Sequence, residues 1–215
     1  MVSINYRLGL LGFFEAITSG FPRSIIPGNQ ALRDWITALN WIYVNIGHFG
    51  GDRTKITIFG ESAGGTAVRA LLSTPSAKPL FRAAIIQSDP IDLPFNEPDI
   101  ASGALGAEYV QLLGCTAGNI SCVTSQDLFS LLEYSYKVST DAVARNPSLS
   151  PFEVYKPCID GELVLDDFYD LVRTGEEDHV PLMIGTLKDE ADHFVYIALL
   201  FSLCPPSLRF HRAAS

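Results

Sequence analysis

The segment Thr57-Ile58-Phe59-Gly60-Glu61-Ser62-Ala63-Gly64-Gly65 constrains this chain more than any other. A β-branched and aromatic run ends in Gly-x-Ser-x-Gly, the pattern of a strand that turns sharply into a helix and lifts one serine clear of the backbone. Such a turn forces the serine into a strained conformation and is expected to leave room only for hydrogen at Gly60 and Gly64. It predicts Ser62 at the carboxyl edge of a sheet, facing the free N–H groups of the helix that follows. Ser62 is therefore the candidate nucleophile, and the Ala63 amide a candidate oxyanion-hole donor.

The rest of the chain fits that frame. Its 215 residues suffice for one sizeable core, and 47% hydrophobic with 18% charged residues is an ordinary globular balance. A formal net charge of -9 argues against a nucleic-acid partner, because phosphate contacts need clustered Lys and Arg. The most apolar stretch, 194–203, is far shorter than the ~20 residues of a membrane span. Val2-Ser3-Ile4-Asn5-Tyr6 alternates in strand fashion directly after Met1, with no charged leader. Of four cysteines, Cys115 and Cys122 lie close across a polar stretch, a spacing that suits a small disulfide clasp, and Asn119-Ile120-Ser121 between them is a glycosylation sequon. Both features point toward an export pathway. The same residues also read as two free thiols and a chance tripeptide, and no localisation is assigned.

Along the chain, the pattern predicts a strand over 2–6, a Gly-rich turn and a long loop broken by Pro22 and Pro27. A helix follows over 30–46, its apolar stripe running through Leu32, Trp35, Ile36, Leu39, Ile42, Tyr43 and Ile46 and ended by Gly47, Gly50 and Gly51. Then come strand 55–59, helix 63–72, strand 81–87, helices over 100–113 and 125–134, and strand 180–187. This alternation predicts an α/β fold with a mostly parallel sheet and helices on its faces.

Several motifs together resemble the type-B carboxylesterases, the family of the cholinesterases and many microbial lipases. The matching segments are 5–13, Phe49-Gly50-Gly51-Asp52, 56–65, 81–88, Ile159-Asp160-Gly161-Glu162 and Gly185-Thr186-Leu187-Lys188-Asp189-Glu190. The resemblance implies the α/β-hydrolase fold over residues 1–198, with an unrelated, disordered tail over 199–215. It implies that Ser62 is the nucleophile, Ala63 an oxyanion-hole donor, Glu190 the triad acid and Glu61 an acidic pocket residue, and that Cys115 and Cys122 close a short disulfide loop. The implied substrate is a small-molecule carboxylic ester, and the chemistry needs no metal or organic cofactor.

Two parts of the family pattern have no counterpart here. The catalytic histidine is expected about a hundred residues beyond the acid, whereas 25 residues follow Glu190. His48, His179, His193 and His211 read as surface, packing or tail histidines. The family's Gly-rich oxyanion loop is expected before the first residue. The chain thus reads as a domain incomplete at both ends, expected to be nearly inert as written because loss of the triad base costs roughly a millionfold in rate. A non-catalytic, esterase-like interaction protein is the second reading. A sheet strand is also expected to be absent between 2–6 and 55–59, leaving exposed edges that favour self-association.

Overall fold

In a computed structural model, residues 1–16, 26–90, 93–145, 154–176, 180–190, 192 and 196 are described. Three parallel strands, β3 (Thr57–Glu61), β4 (Ala83–Gln87) and β5 (Leu182–Gly185), form the sheet in the order β3-β4-β5. Two antiparallel strands of two residues each, β1 (Glu15–Ala16) and β2 (Ile26–Pro27), pair outside it. The register sets Phe59 beside Ile85 and Ile85 beside Met183, so these three share one face. Ile58, Ala84 and Ile86 point the other way and are buried in one core with residues of α2 (Gln30–Asn45), α3 (Ala63–Leu72) and α7 (Phe168–Thr174). Phe59 and Met183, by contrast, remain 54% and 65% exposed.

α2 forms where the apolar stripe predicts it and buries Ala31, Leu32, Trp35 and Leu39. It passes into a 3-10 turn, Ile46–Phe49, that stops at Gly50 with φ 77°. A second core joins α1 (Gly9–Phe13) to α4 (Glu108–Leu112), α5 (Ile120–Thr124) and α6 (Leu128–Arg145) through Leu10, Tyr109, Val123 and Val138, among others.

The chain departs from the sequence reading in identifiable places. Residues 2–6 form no strand. Their alternation is real, and Val2, Ile4 and Tyr6 line a cavity of about 830 Å³ together with residues of β3, but an extended segment with no hydrogen-bonded neighbour among the described residues is not a strand. The segment is held instead by Arg7, which grips Asp34 of α2 through two bonds of 2.8 and 2.7 Å, and by an edge-on contact of Tyr6 with Trp35. Where a regular helix is expected from residue 100, Asp99–Ala107 is a π-helix, and within it the Gly106 Cα runs against the Glu15 carbonyl too closely for a side chain. α6 extends well past the expected end at 134, and α7 was not anticipated. The expected tail at 199–215 lies outside the described residues.

Candidate active site

β3 runs into α3 through Ser62, whose backbone adopts φ 55° and ψ −119°. For a residue with a Cβ this is a strained conformation, held only because its surroundings over-determine it. The surroundings are visible. Ser62 N–H donates to the Gln87 carbonyl at 2.9 Å, Thr66 N–H donates back to the Ser62 carbonyl at 3.0 Å, and a Cβ on Gly60 would overlap Gly64 backbone. The crowding differs from the sequence expectation in one respect. Gly64 has open space where a Cβ would go, while Gly65 packs against Asp89, with a Cβ 3.1 Å from the Asp89 Cβ. Gly64 is tight through its own carbonyl, not through its missing side chain.

Ser62 is exposed at the carboxyl end of β3, and Ala63 opens α3 with its N–H accepted by no carbonyl among the described residues. Ala63 also borders a cavity of about 370 Å³ shared with Phe13, Trp35, Tyr155 and Lys156. Glu61, the last residue of β3, is exposed beside the serine. Glu190 is exposed in the turn beyond β5, where its Oε1 accepts the Leu187 N–H at 2.6 Å. Ser62 and Glu190 therefore stand at the same end of the sheet, beyond its two outer strands, where open α/β sheets place their sites. Among the described residues the one histidine is His48, exposed in the 3-10 turn after α2, and no hydrogen bond reaches Ser62 Oγ. His179, His193 and His211 lie outside the described residues.

Beneath the elbow is a buried ionic cluster that the sequence reading missed. Arg69 of α3 is 1% exposed and sits 3.3 Å from Asp89 and 3.5 Å from Asp167. Asp89 also accepts the Thr66 hydroxyl at 2.8 Å and the Tyr169 hydroxyl at 3.1 Å, and Arg69 stacks on the Phe95 and Tyr169 rings. Burial, helped by the Asp89 charge, pushes the Tyr169 phenol up to about 12. The cluster joins the elbow helix to the loop after β4 and to α7, whose N-cap is Asp167. An arginine in the middle of Val68-Arg69-Ala70-Leu71, an otherwise apolar stripe, was its signal.

Cys115 and Cys122 form a disulfide, with Cα atoms 5.8 Å apart. Among the described residues no group of three His, Cys, Asp or Glu is placed to hold a metal, and no helix is long and apolar enough to cross a membrane.

Residues 1–202 match the model of the carboxylesterase family. This chain belongs to that family. Among its relatives, the cAMP-regulated D2 protein of Dictyostelium discoideum is 34% identical over 91% of this chain and 35% of its own length. Lipase 2 of Diutina rugosa is 36% identical over 90% of this chain and 35% of its own. A Geobacillus stearothermophilus carboxylesterase crystal structure superimposes with TM-score 0.74 at 30% identity, covering 94% of this chain and 41% of that one. The sheet and helices described above are thus part of the α/β-hydrolase fold, and the chain spans about a third of the length of the curated relatives it matches.

Proposed function

We propose that the protein is a carboxylic ester hydrolase acting through an acyl-enzyme on Ser62, with a small-molecule carboxylic ester as substrate. The observation that carries this reading is the positive φ of Ser62. Strain of this kind costs about 1–3 kcal/mol, and a plain surface turn would relieve it with glycine. A serine kept there is explained by what its hydroxyl gains: exposure beside the unpaired N–H groups of a helix start.

The reaction class of the family supports named roles. Ser62 Oγ attacks the ester carbonyl while its proton passes to an imidazole. The Ala63 N–H donates to the oxygen that becomes negative, the kind of contact worth about 3 kcal/mol in the transition state. The imidazolium then protonates the departing alcohol, and water attacks the acyl-serine by the same route in reverse. Glu190 orients that imidazole. Ser62 and Glu190 follow strands that lie two spacings, roughly 10 Å, apart, and the imidazole belongs between their inward-leaning side chains. Glu61 contributes an acidic wall next to the nucleophile. The histidine is the one member with no candidate among the described residues.

Hydrolysis of 4-nitrophenyl acetate, measured with and without added imidazole as a surrogate base, tests the reading. The expected result is a rise in cleavage with imidazole above the solution reaction, and loss of that rise in Ser62→Ala. Equal cleavage by the two proteins at every imidazole concentration contradicts it and favours an esterase-like interaction protein.

A further inference from the structure

The loop closed by the Cys115–Cys122 disulfide carries a group that the ester chemistry does not use. Asn119 is exposed, as are Thr116, Ala117, Gly118 and Ser121 around it. Its Oδ1 accepts the Cys122 N–H at 3.0 Å and so caps α5, while its Nδ2 makes no hydrogen bond among the described residues. The tripeptide Asn119-Ile120-Ser121 has a hydroxyl at its third position and no proline at its second. The chain's other Asn-x-Ser, Asn146-Pro147-Ser148, has proline there.

We propose that Asn119 is an N-glycosylation site. Three independent features converge on it. The sequence is an acceptor, the fold places it on the surface with the reacting nitrogen free, and the adjoining disulfide belongs to the oxidising compartment in which such transfer takes place. In the step itself, Nδ2 bonds to the anomeric carbon of a sugar carried as a lipid-linked oligosaccharyl diphosphate. The anomeric C–O bond breaks, the diphosphate leaves with its electron pair, and one amide proton passes to a base of the transferase. The product is still an amide with its carbonyl intact, so Oδ1 goes on capping α5 and the disulfide loop keeps its shape. The inference does not rest on the role of Ser62.

The test is secretion of the full chain from a eukaryotic host, followed by mass mapping of the non-reduced peptide that spans Cys115 to Cys122. The expected result is one peptide carrying both the disulfide and a glycan, with Asn119 converted to Asp when an amidase-type glycosidase removes the sugar. Ser121→Thr should keep the glycan. Ser121→Ala should lose it, and so should Asn119→Asp, which retains the capping oxygen and should melt at the temperature of the enzymatically deglycosylated protein. Unmodified Asn119 in the secreted wild-type chain would overturn the proposal, as would a glycan that persists at this position in Ser121→Ala.

Discussion

Gly60 and Gly64 meet across the elbow so closely that a methyl group on Gly60 would overlap the Gly64 carbonyl. Gly60→Ala should therefore push α3 away from β3 and cost about 3 kcal/mol, the upper part of the range for overpacking. Gly64→Ala meets no atom within 4 Å and should cost under about 1 kcal/mol, the helix propensity of alanine working in its favour. Urea unfolding of the two variants measures the contrast, and equal losses would count against the geometry of the turn.

Ser62 should be a site where function is bought with stability. Replacing it by glycine relieves a positive φ of 55°, and after the entropy cost of glycine the net gain should be about 1 kcal/mol. In a chain of this size that is a rise of about 2–4 °C in melting temperature. Calorimetry reads it directly, and a fall in melting temperature would show that the serine is unstrained.

The buried Arg69–Asp89–Asp167 cluster should respond asymmetrically to substitution. Asp89→Asn leaves Arg69 with one carboxylate in place of two and removes a charged acceptor from the Thr66 and Tyr169 hydroxyls, a change that should cost about 3 kcal/mol. With the Asp89 charge gone, the Tyr169 phenol should ionise at a lower pH than the wild type's value of about 12, which ultraviolet titration follows. An unchanged titration would mean that the two residues do not meet.

Glu15 supplies a pH dependence of definite sign. It is buried, its Oε2 has no partner among the described residues, and burial raises its carboxyl above the ordinary 4.5, with Asp160 adding to the rise and the Cys158 thiol opposing it. Because the folded protein holds this proton more tightly than the unfolded chain, the stability it contributes is complete below the ordinary carboxyl range. It is lost as pH rises through the raised value. Glu15→Gln should flatten that part of the stability profile in chemical unfolding, and a profile identical to wild type would contradict the assignment.

The outer edge of β3 has no strand beside it among the described residues, and Phe59 is exposed on the open face. An unpaired edge with an adjacent aromatic side chain favours pairing with a second copy. Sedimentation should show association that grows with protein concentration and weakens in Phe59→Lys. A monomer at all concentrations would count against this surface as an interface.

Local chemistry made the elbow readable. The glycines, the β-branched run and the apolar stripe of α2 each act within a few residues, so β3, α3 and β4 fall close to where the pattern puts them. Residues 2–6 show the limit of that reading. Alternation reports which faces of a segment differ, but a strand exists only with a neighbour to bond, and that neighbour is not encoded in the alternation. α7 carried its own signals, Asp167 as N-cap and Gly175 at φ 76° as C-cap, yet its seven residues are too few for a periodicity to stand out. The Glu15–Cys158 contact and the Arg69 cluster join residues far apart in sequence, where no local rule applies. The turn that Glu190 stabilises by accepting the Leu187 N–H was not legible in its motif.

The central claim is that Ser62 is a poised nucleophile. Its most direct test is reaction of the folded protein with an organophosphonate in the presence of imidazole as surrogate base, with the adduct located by peptide mass mapping. The account predicts an adduct confined to Ser62 that forms in the folded protein, is lost on prior unfolding and is absent in Ser62→Ala. An adduct spread over several serines, or none on Ser62 after exhaustive treatment of folded protein, would contradict it.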